Sequence, residues 1–170
     1  MKPNEPLCIG IDPDVTKSGF AVWHKPLKRF SSIEALTLPE MLDKLHSLRD
    51  NIALVVVEAG YLNKGNRHTF KGQSVAAAAK TGENVGRNHQ RGMDIVEILE
   101  WMKIPYRLQK PITPNKWKDD AAYFKTITGW RGKTNPEKRD AAMLVYGMFN
   151  ALIQSTPYKI EPEFKTDKNY

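Results

Sequence analysis

Ile9-Gly10-Ile11-Asp12-Pro13-Asp14-Val15-Thr16-Lys17-Ser18-Gly19-Phe20-Ala21-Val22 is the stretch on which the reading of the fold turns. The apolar run from Leu7 ends at Asp12 on a carboxylate followed by proline, as expected of a buried strand reaching the edge of its sheet. Gly19 to His24 reads as a second strand, and the Asp-Pro-Asp and Lys-Ser-Gly between the two suit a tight hairpin. Lys28 to Ile33 is read as a third, antiparallel strand.

Outward from this hairpin, Pro39 opens a segment in which Met41, Leu42, Leu45 and Leu48 fall at helical spacing. Ile52 to Glu58 follows, rich in Val and Ile and again ending on an acid. Strand, helix and strand in this order imply a crossover and a partly parallel sheet, hence an α/β fold. Ser74 to Met102 carries a long helical pattern whose recurring positions, Ala78, Gly82, Val85, Gly86, His89, Met93, Val96 and Glu100, are mostly small or apolar, which predicts close packing on the sheet or on another helix. His89 and Trp101 are both assigned to the core. Ile104 to Leu108 reads as a fifth strand, Pro114 to Thr128 as a helix and Gly129 to Pro136 as a loop. The last helix is expected from Pro136 to Ile153, with Ala141, Ala142, Leu144, Val145, Met148, Phe149 and Leu152 along it. The domain is therefore set at 1–155, with 156–170 as a flexible tail.

Two predicted strands end in carboxylates, Asp12 and Glu58, and ligands of open α/β sheets gather at such ends. Glu137 and Asp140 stand three apart at the start of the last helix, on one face of it. Phosphodiester hydrolysis needs a deprotonated water and compensation of negative charge on both the attacking and the leaving oxygen. Two Mg²⁺ ions about 4 Å apart can supply both, and Mg²⁺ takes hard oxygen ligands. Singly, each acid also fits a capping role, and acids in a first helical turn are favoured by the helix dipole. The order strand-acid, strand-acid, helix-acid favours a metal site.

The chain has 170 residues, room for one domain with a real core. Its 26 Lys and Arg against 19 Asp and Glu give a formal charge of +7, compatible with a polyanionic partner. The basic loop from Gly60 to Gly72, with Lys64, Arg67, His68 and Lys71, is either a solvated connection or a phosphate-touching surface beside Glu58. The single cysteine, Cys8, lies in an apolar stretch, reads as a buried structural thiol and suits a reducing cytosol. The Met-Lys-Pro-Asn-Glu-Pro start has no apolar signal core and no run approaches a membrane span, so a cytoplasmic location is expected.

The opening stretch resembles that of the RuvC Holliday-junction resolvases, within the RNase H-like superfamily. Val56-Val57-Glu58 with Tyr61, and Glu137-Lys138-Arg139-Asp140-Ala141-Ala142, resemble the second and third acidic motifs of that family. Gly82 to Ile95, with Gly86 and Arg91-Gly92, looks like the helix between them. The resemblance spans roughly residues 7 to 152. It implies an RNase H-like mixed five-stranded sheet flanked by helices, and Asp12, Glu58 and Asp140 as metal-binding catalytic acids with Glu137 in fourth place, where the family usually has aspartate. It also implies Mg²⁺, with Mn²⁺ as a substitute, a four-way DNA junction as substrate, a homodimer with one site per subunit, and no membrane or small-molecule cofactor.

For Tyr61 two readings stand, a base-stacking residue as in the family or a core tyrosine. Lys116 resembles a family lysine near the scissile phosphate, and Lys110 or Lys118 would serve the electrostatics equally. Asp14 departs from the family's glycine and either alters the turn or adds a metal contact. Trp117 and Trp130 suit either core or contact surface. Three further function classes compete. An ATPase or kinase of the actin and sugar-kinase type needs a second nucleotide-binding domain, for which 170 residues leave no room. A nuclease for flaps or RNA–DNA hybrids would use the same acids, and a non-catalytic nucleic-acid-binding module would keep them as structural groups.

Overall fold

The computed structural model describes residues 6–62 and 74–147. Five strands form one sheet: β1 (Leu7–Asp12), β2 (Ser18–His24), β3 (Arg29–Leu36), β4 (Ile52–Glu58) and β5 (Tyr106–Gln109). Their order is β3-β2-β1-β4-β5. The first three run antiparallel, while β4 pairs parallel with β1 on one side and with β5 on the other. The sheet is thus mixed and five-stranded, as the sequence leads one to expect, with β1 at its centre. The near-continuous apolar runs of β1 and β4 follow from burial on both faces.

Helices cover both faces. Leu7, Ile9, Ile11, Phe20, Val55 and Val57 point to one side, where helix α1 (Leu38–Leu48) contributes Met41 and Leu45, and α2 (Val75–Trp101) contributes Ile95 and Leu99. Cys8, Ala21, Trp23, Leu54 and Val56 point to the other, against Phe124 of α4 (Ala121–Thr128) and Ala141, Ala142, Leu144 and Val145 of α5 (Pro136–Val145). Cys8 is fully buried, and that burial pushes its thiol up from its ordinary value against the lowering charges of Lys25 and Arg107.

Local chemistry sets the helix ends. Thr37 and Glu40 form a capping box at the start of α1, with Pro39 in its first turn. Ser74 caps α2 by accepting from Ala77 N at 3.2 Å. The helix expected over Pro114 to Thr128 is instead two: α3 (Lys116–Asp119) and α4 are separated at Asp120. Asp120 leaves helical geometry and uses its carboxylate to accept from Tyr123 N at 2.8 Å, so it caps α4 rather than continuing α3. The last helix stops at Val145, because Tyr146 turns extended and Gly147 takes a positive φ of 77°. Met148, Phe149, Leu152 and the expected tail lie outside the described residues. The fifth strand begins at Tyr106, two residues later than expected; Pro105 still contributes its carbonyl to Val55 N at 2.9 Å.

Three further expectations are corrected on α2. Its first half is largely exposed, and a Cβ on Gly82 or Gly86 would meet nothing within 4 Å. These small residues therefore pack against nothing among the described residues. Trp101 is 79% exposed rather than core, because the helix turns that face away from the sheet. His89 is half-buried and sits edge-on to Tyr61 at 6.1 Å, outside both core clusters. No helix among the described residues is long and apolar enough to cross a membrane.

Candidate active site

The register of β1 on β4 builds the first half of the site. Ile11 lies opposite Val57, so Asp12 and Glu58, each one residue further, finish side by side at the carboxyl ends of adjacent parallel strands. Gly10 faces α5 and Val56 belongs to the cluster on that side. Two residues on, Asp12 and Glu58 point the same way.

The second half comes from α5, which lies directly on the sheet. A Cβ on Gly10 would fall 1.9 Å from the carbonyl oxygen of Ala141, and one on Gly19 2.1 Å from that of Glu137. Only glycine allows such an approach. It brings the first turn of α5, with Glu137 and Asp140, over the ends of β1 and β2. Asn135 starts that turn by accepting from Lys138 N at 3.0 Å, and Pro136 occupies the first helical positions.

Electrostatics report how close the acids stand. Burial pushes the Asp12 carboxyl well above its usual range, and the charges of Glu58, Asp140 and, least, Glu137 add to that against the lowering effect of Lys118. Burial and the Asp140 charge likewise push Glu58 up to about 7, again opposed by Lys118. Like charges gathered in a poorly hydrated place have this signature. Of the acids whose charges raise Asp12, Glu137 has the smallest influence. As the side chains are arranged, no three His, Cys, Asp or Glu among the described residues stand close enough to hold a metal ion.

Asp140 explains part of that spacing. Its Oδ1 accepts from Trp117 Nε1 at 3.1 Å and its Oδ2 from Lys118 Nζ at 2.6 Å. The neighbouring Arg139, also buried, donates from Nε to the carbonyls of Trp117 (2.7 Å) and Lys118 (3.1 Å), from Nη2 to Lys118 O, and from Nη1 to Thr134 Oγ1 at 3.1 Å. Of the lysines weighed from sequence, Lys118 is therefore the one at the acids. Lys116 is exposed, with its ammonium 4.8 Å from the ring centre of Tyr123.

The turn after Asp12 is held from two sides. Asp14 Oδ1 accepts from Thr16 N (2.8 Å) and Lys17 N (3.3 Å), so this acid shapes the turn. Asn88 Oδ1 accepts from Val15 N at 3.1 Å, and Arg91 Nη2 donates to Val15 O at 3.2 Å, tying the turn to α2. Tyr61 lies in the short 3-10 turn after β4, half-buried, beside His89 and against Gly92, which Pro13 also approaches. Burial raises its phenol above the ordinary value. Lys64, Arg67 and Lys71 lie outside the described residues.

Sequence reading assigned no role to Arg139, Asn88 or Arg91 and left Trp117 between core and surface. The available signal for Arg139 was a cation next to an acid in an otherwise apolar helix.

Several solved structures are similar to this one. T. thermophilus RuvC in complex with a Holliday junction substrate aligns at 20% identity and a TM-score of 0.46, covering 83% of this chain and 90% of that one. The yeast mitochondrial Holliday junction resolvase Ydc2 aligns at 11% and 0.44, covering 85% and 78%. The large terminase nuclease from thermophilic phage G20c aligns at 13% and 0.37, covering 87% and 84%. No protein-family model and no curated protein matches the sequence.

Proposed function

We propose that the chain is a metal-dependent endonuclease that cleaves branched DNA, four-way junctions in particular, with Asp12, Glu58 and Asp140 as its metal-binding acids and Glu137 as a fourth. The observation that carries this reading is the convergence of Asp12, Glu58 and Asp140 from two strand ends and one helix, where burial and the neighbouring acids raise the proton affinities of Asp12 and Glu58 and the Lys118 ammonium pairs with Asp140. Such an arrangement favours added positive charge, and its donors are all hard oxygens, which suit Mg²⁺ or Mn²⁺.

A bound divalent ion would supply Lewis acidity and an activated water at neutral pH. The chain's own contribution is placement. Asp12 and Glu58 are fixed by the strand register, and Asp140 by the glycine contacts under α5. Asn88 and Arg91 hold the turn that follows Asp12, and Trp117 orients the Asp140 carboxylate. Tyr61, beside the end of β4, offers a stacking face for an unpaired base. Lys116 and Lys118, together with Lys64, Arg67 and Lys71, meet the phosphates.

A four-way junction has approximate twofold symmetry and needs two cuts, which fits a homodimer. The exposed first half of α2, bearing Val75, Gly82 and Gly86, is the surface proposed for it.

The test is an assay of the purified protein with Mg²⁺ or Mn²⁺ on a junction, a flap, a linear duplex and an RNA–DNA hybrid side by side. Symmetric nicking of the junction is expected, with Asp12→Asn and Glu58→Gln losing cleavage while retaining binding. Cleavage by both variants overturns the site. Preference for flap or hybrid moves the reading to another nuclease, and tight binding without cleavage of any substrate moves it to a binding module. Binding is also expected to weaken steeply with salt, as phosphate neutralisation demands; a flat response would point away from nucleic acid.

A further inference from the structure

Residues 139 and 140 grip the same short piece of chain in two ways. Arg139 takes its backbone, through the carbonyls of Trp117 and Lys118, while Asp140 takes the two side chains. The peptide is thus held by a buried guanidinium, yet the Lys118 side chain is 41% exposed where that of Asp140 is 6%. The lysine reaches the acids from the solvent side and can leave by the same route without disturbing α3.

Both Asp140 oxygens already have donors. A divalent ion arriving at Oδ2 would have to share that oxygen with an ammonium 2.6 Å away, and two cations at such range repel strongly. The Trp117 indole on Oδ1 carries no charge and can stay.

We propose that Lys118 is a tethered counter-cation of the acid cluster, holding Asp140 until a divalent metal ion takes its place, with Arg139 fixing the peptide from which the side chain swings. The proposal rests on the metal-binding reading of Asp12, Glu58 and Asp140.

The exchange makes Lys118 a competitor of the metal, the opposite of what a purely structural ion pair would be. Calorimetric titration of Mn²⁺ into the full chain should show Lys118→Met binding on the order of tenfold tighter than wild type, the equivalent of one charge-assisted hydrogen bond no longer broken. Lys118→Arg, which keeps the charge, should stay near wild type. Without metal, Lys118→Met should melt lower than wild type, and Mn²⁺ should raise its midpoint by more. A second measurement needs no variant: acetylation of Lys118, followed by mass spectrometry, should accelerate when Mn²⁺ saturates the wild-type protein. Equal Mn²⁺ affinity of wild type and Lys118→Met, or unchanged acetylation on saturation, overturns the exchange and leaves the metal site standing. Absence of Mn²⁺ binding to any of the three proteins overturns the metal site and the exchange with it.

Discussion

Gly19 and Glu137 touch backbone to backbone: a Cβ on the glycine would lie 2.1 Å from the glutamate's carbonyl oxygen. The same holds for Gly10 and Ala141, at 1.9 Å. No flexible side chain stands between β1, β2 and α5 at these points, so an added methyl has to move the helix.

Gly10→Ala and Gly19→Ala are each expected to destabilise the fold by at least the ~1–3 kcal/mol typical of overpacking. Because the displaced helix carries Asp140, cleavage should fall further than the loss of folded protein explains. Urea denaturation, paired with assays at a temperature where the variants remain folded, separates the two effects. Wild-type stability in both variants would refute the contact.

The pH dependence follows from Glu58. Its folded value is about 7 against an ordinary 4.5, so between those values the folded state holds more proton than the unfolded one. Stability must then fall as pH rises through that window. Asp12, shifted in the same direction, adds to the slope. Melting of the metal-free protein at steps between about pH 4.5 and 7 should show the decline, and Glu58→Gln should flatten it. Divalent metal favours the ionised acids, so added Mg²⁺ should reduce the decline in the wild type.

Trp101 and Trp23 offer a contrast in burial, 79% against 1% exposed. Trp101→Ser is expected to change stability by no more than about 0.5 kcal/mol, whereas Trp23→Ala should cost about 3–5 kcal/mol. Thermal denaturation of the two single variants decides it, and a large cost at Trp101 would mean that this face of α2 is covered in solution.

Asn88→Ala removes one of the two bonds that hold Val15 to α2. The global cost should be about 1 kcal/mol. Hydrogen exchange should reveal the local effect, with the Val15 amide losing protection while those of β1 keep theirs.

What was legible in the sequence had a local cause. The bounds of β1 and β4 are those read from their apolar runs, since strands buried on both faces leave an uninterrupted signature. The 27-residue α2 was found nearly to the residue because Ser74 caps it. The acids at the ends of β1 and β4 were visible for the same reason as the strands.

What was not legible depended on contacts made across the fold. Lys116 and Lys118 differ by two positions on one short helix, and which of them meets the acids is set by the Arg139 clamp, a contact 21 and 22 residues away in sequence. Asp120 reads equally well inside a helix and at its cap. Trp101 was assigned to the core, but the face that α2 buries runs through Gly92, Ile95 and Leu99, and Trp101, two residues past Leu99, lies off it.

That last point gives α2 the mechanics of a cantilever. Its root is clamped at Gly92, Ile95 and Leu99, its outer arm from Val75 is largely exposed among the described residues, and Asn88 and Arg91 sit at the fulcrum, joined to the peptide three residues beyond Asp12. A load applied to the outer arm is delivered, through those two hydrogen bonds, to the loop that leaves the first carboxylate.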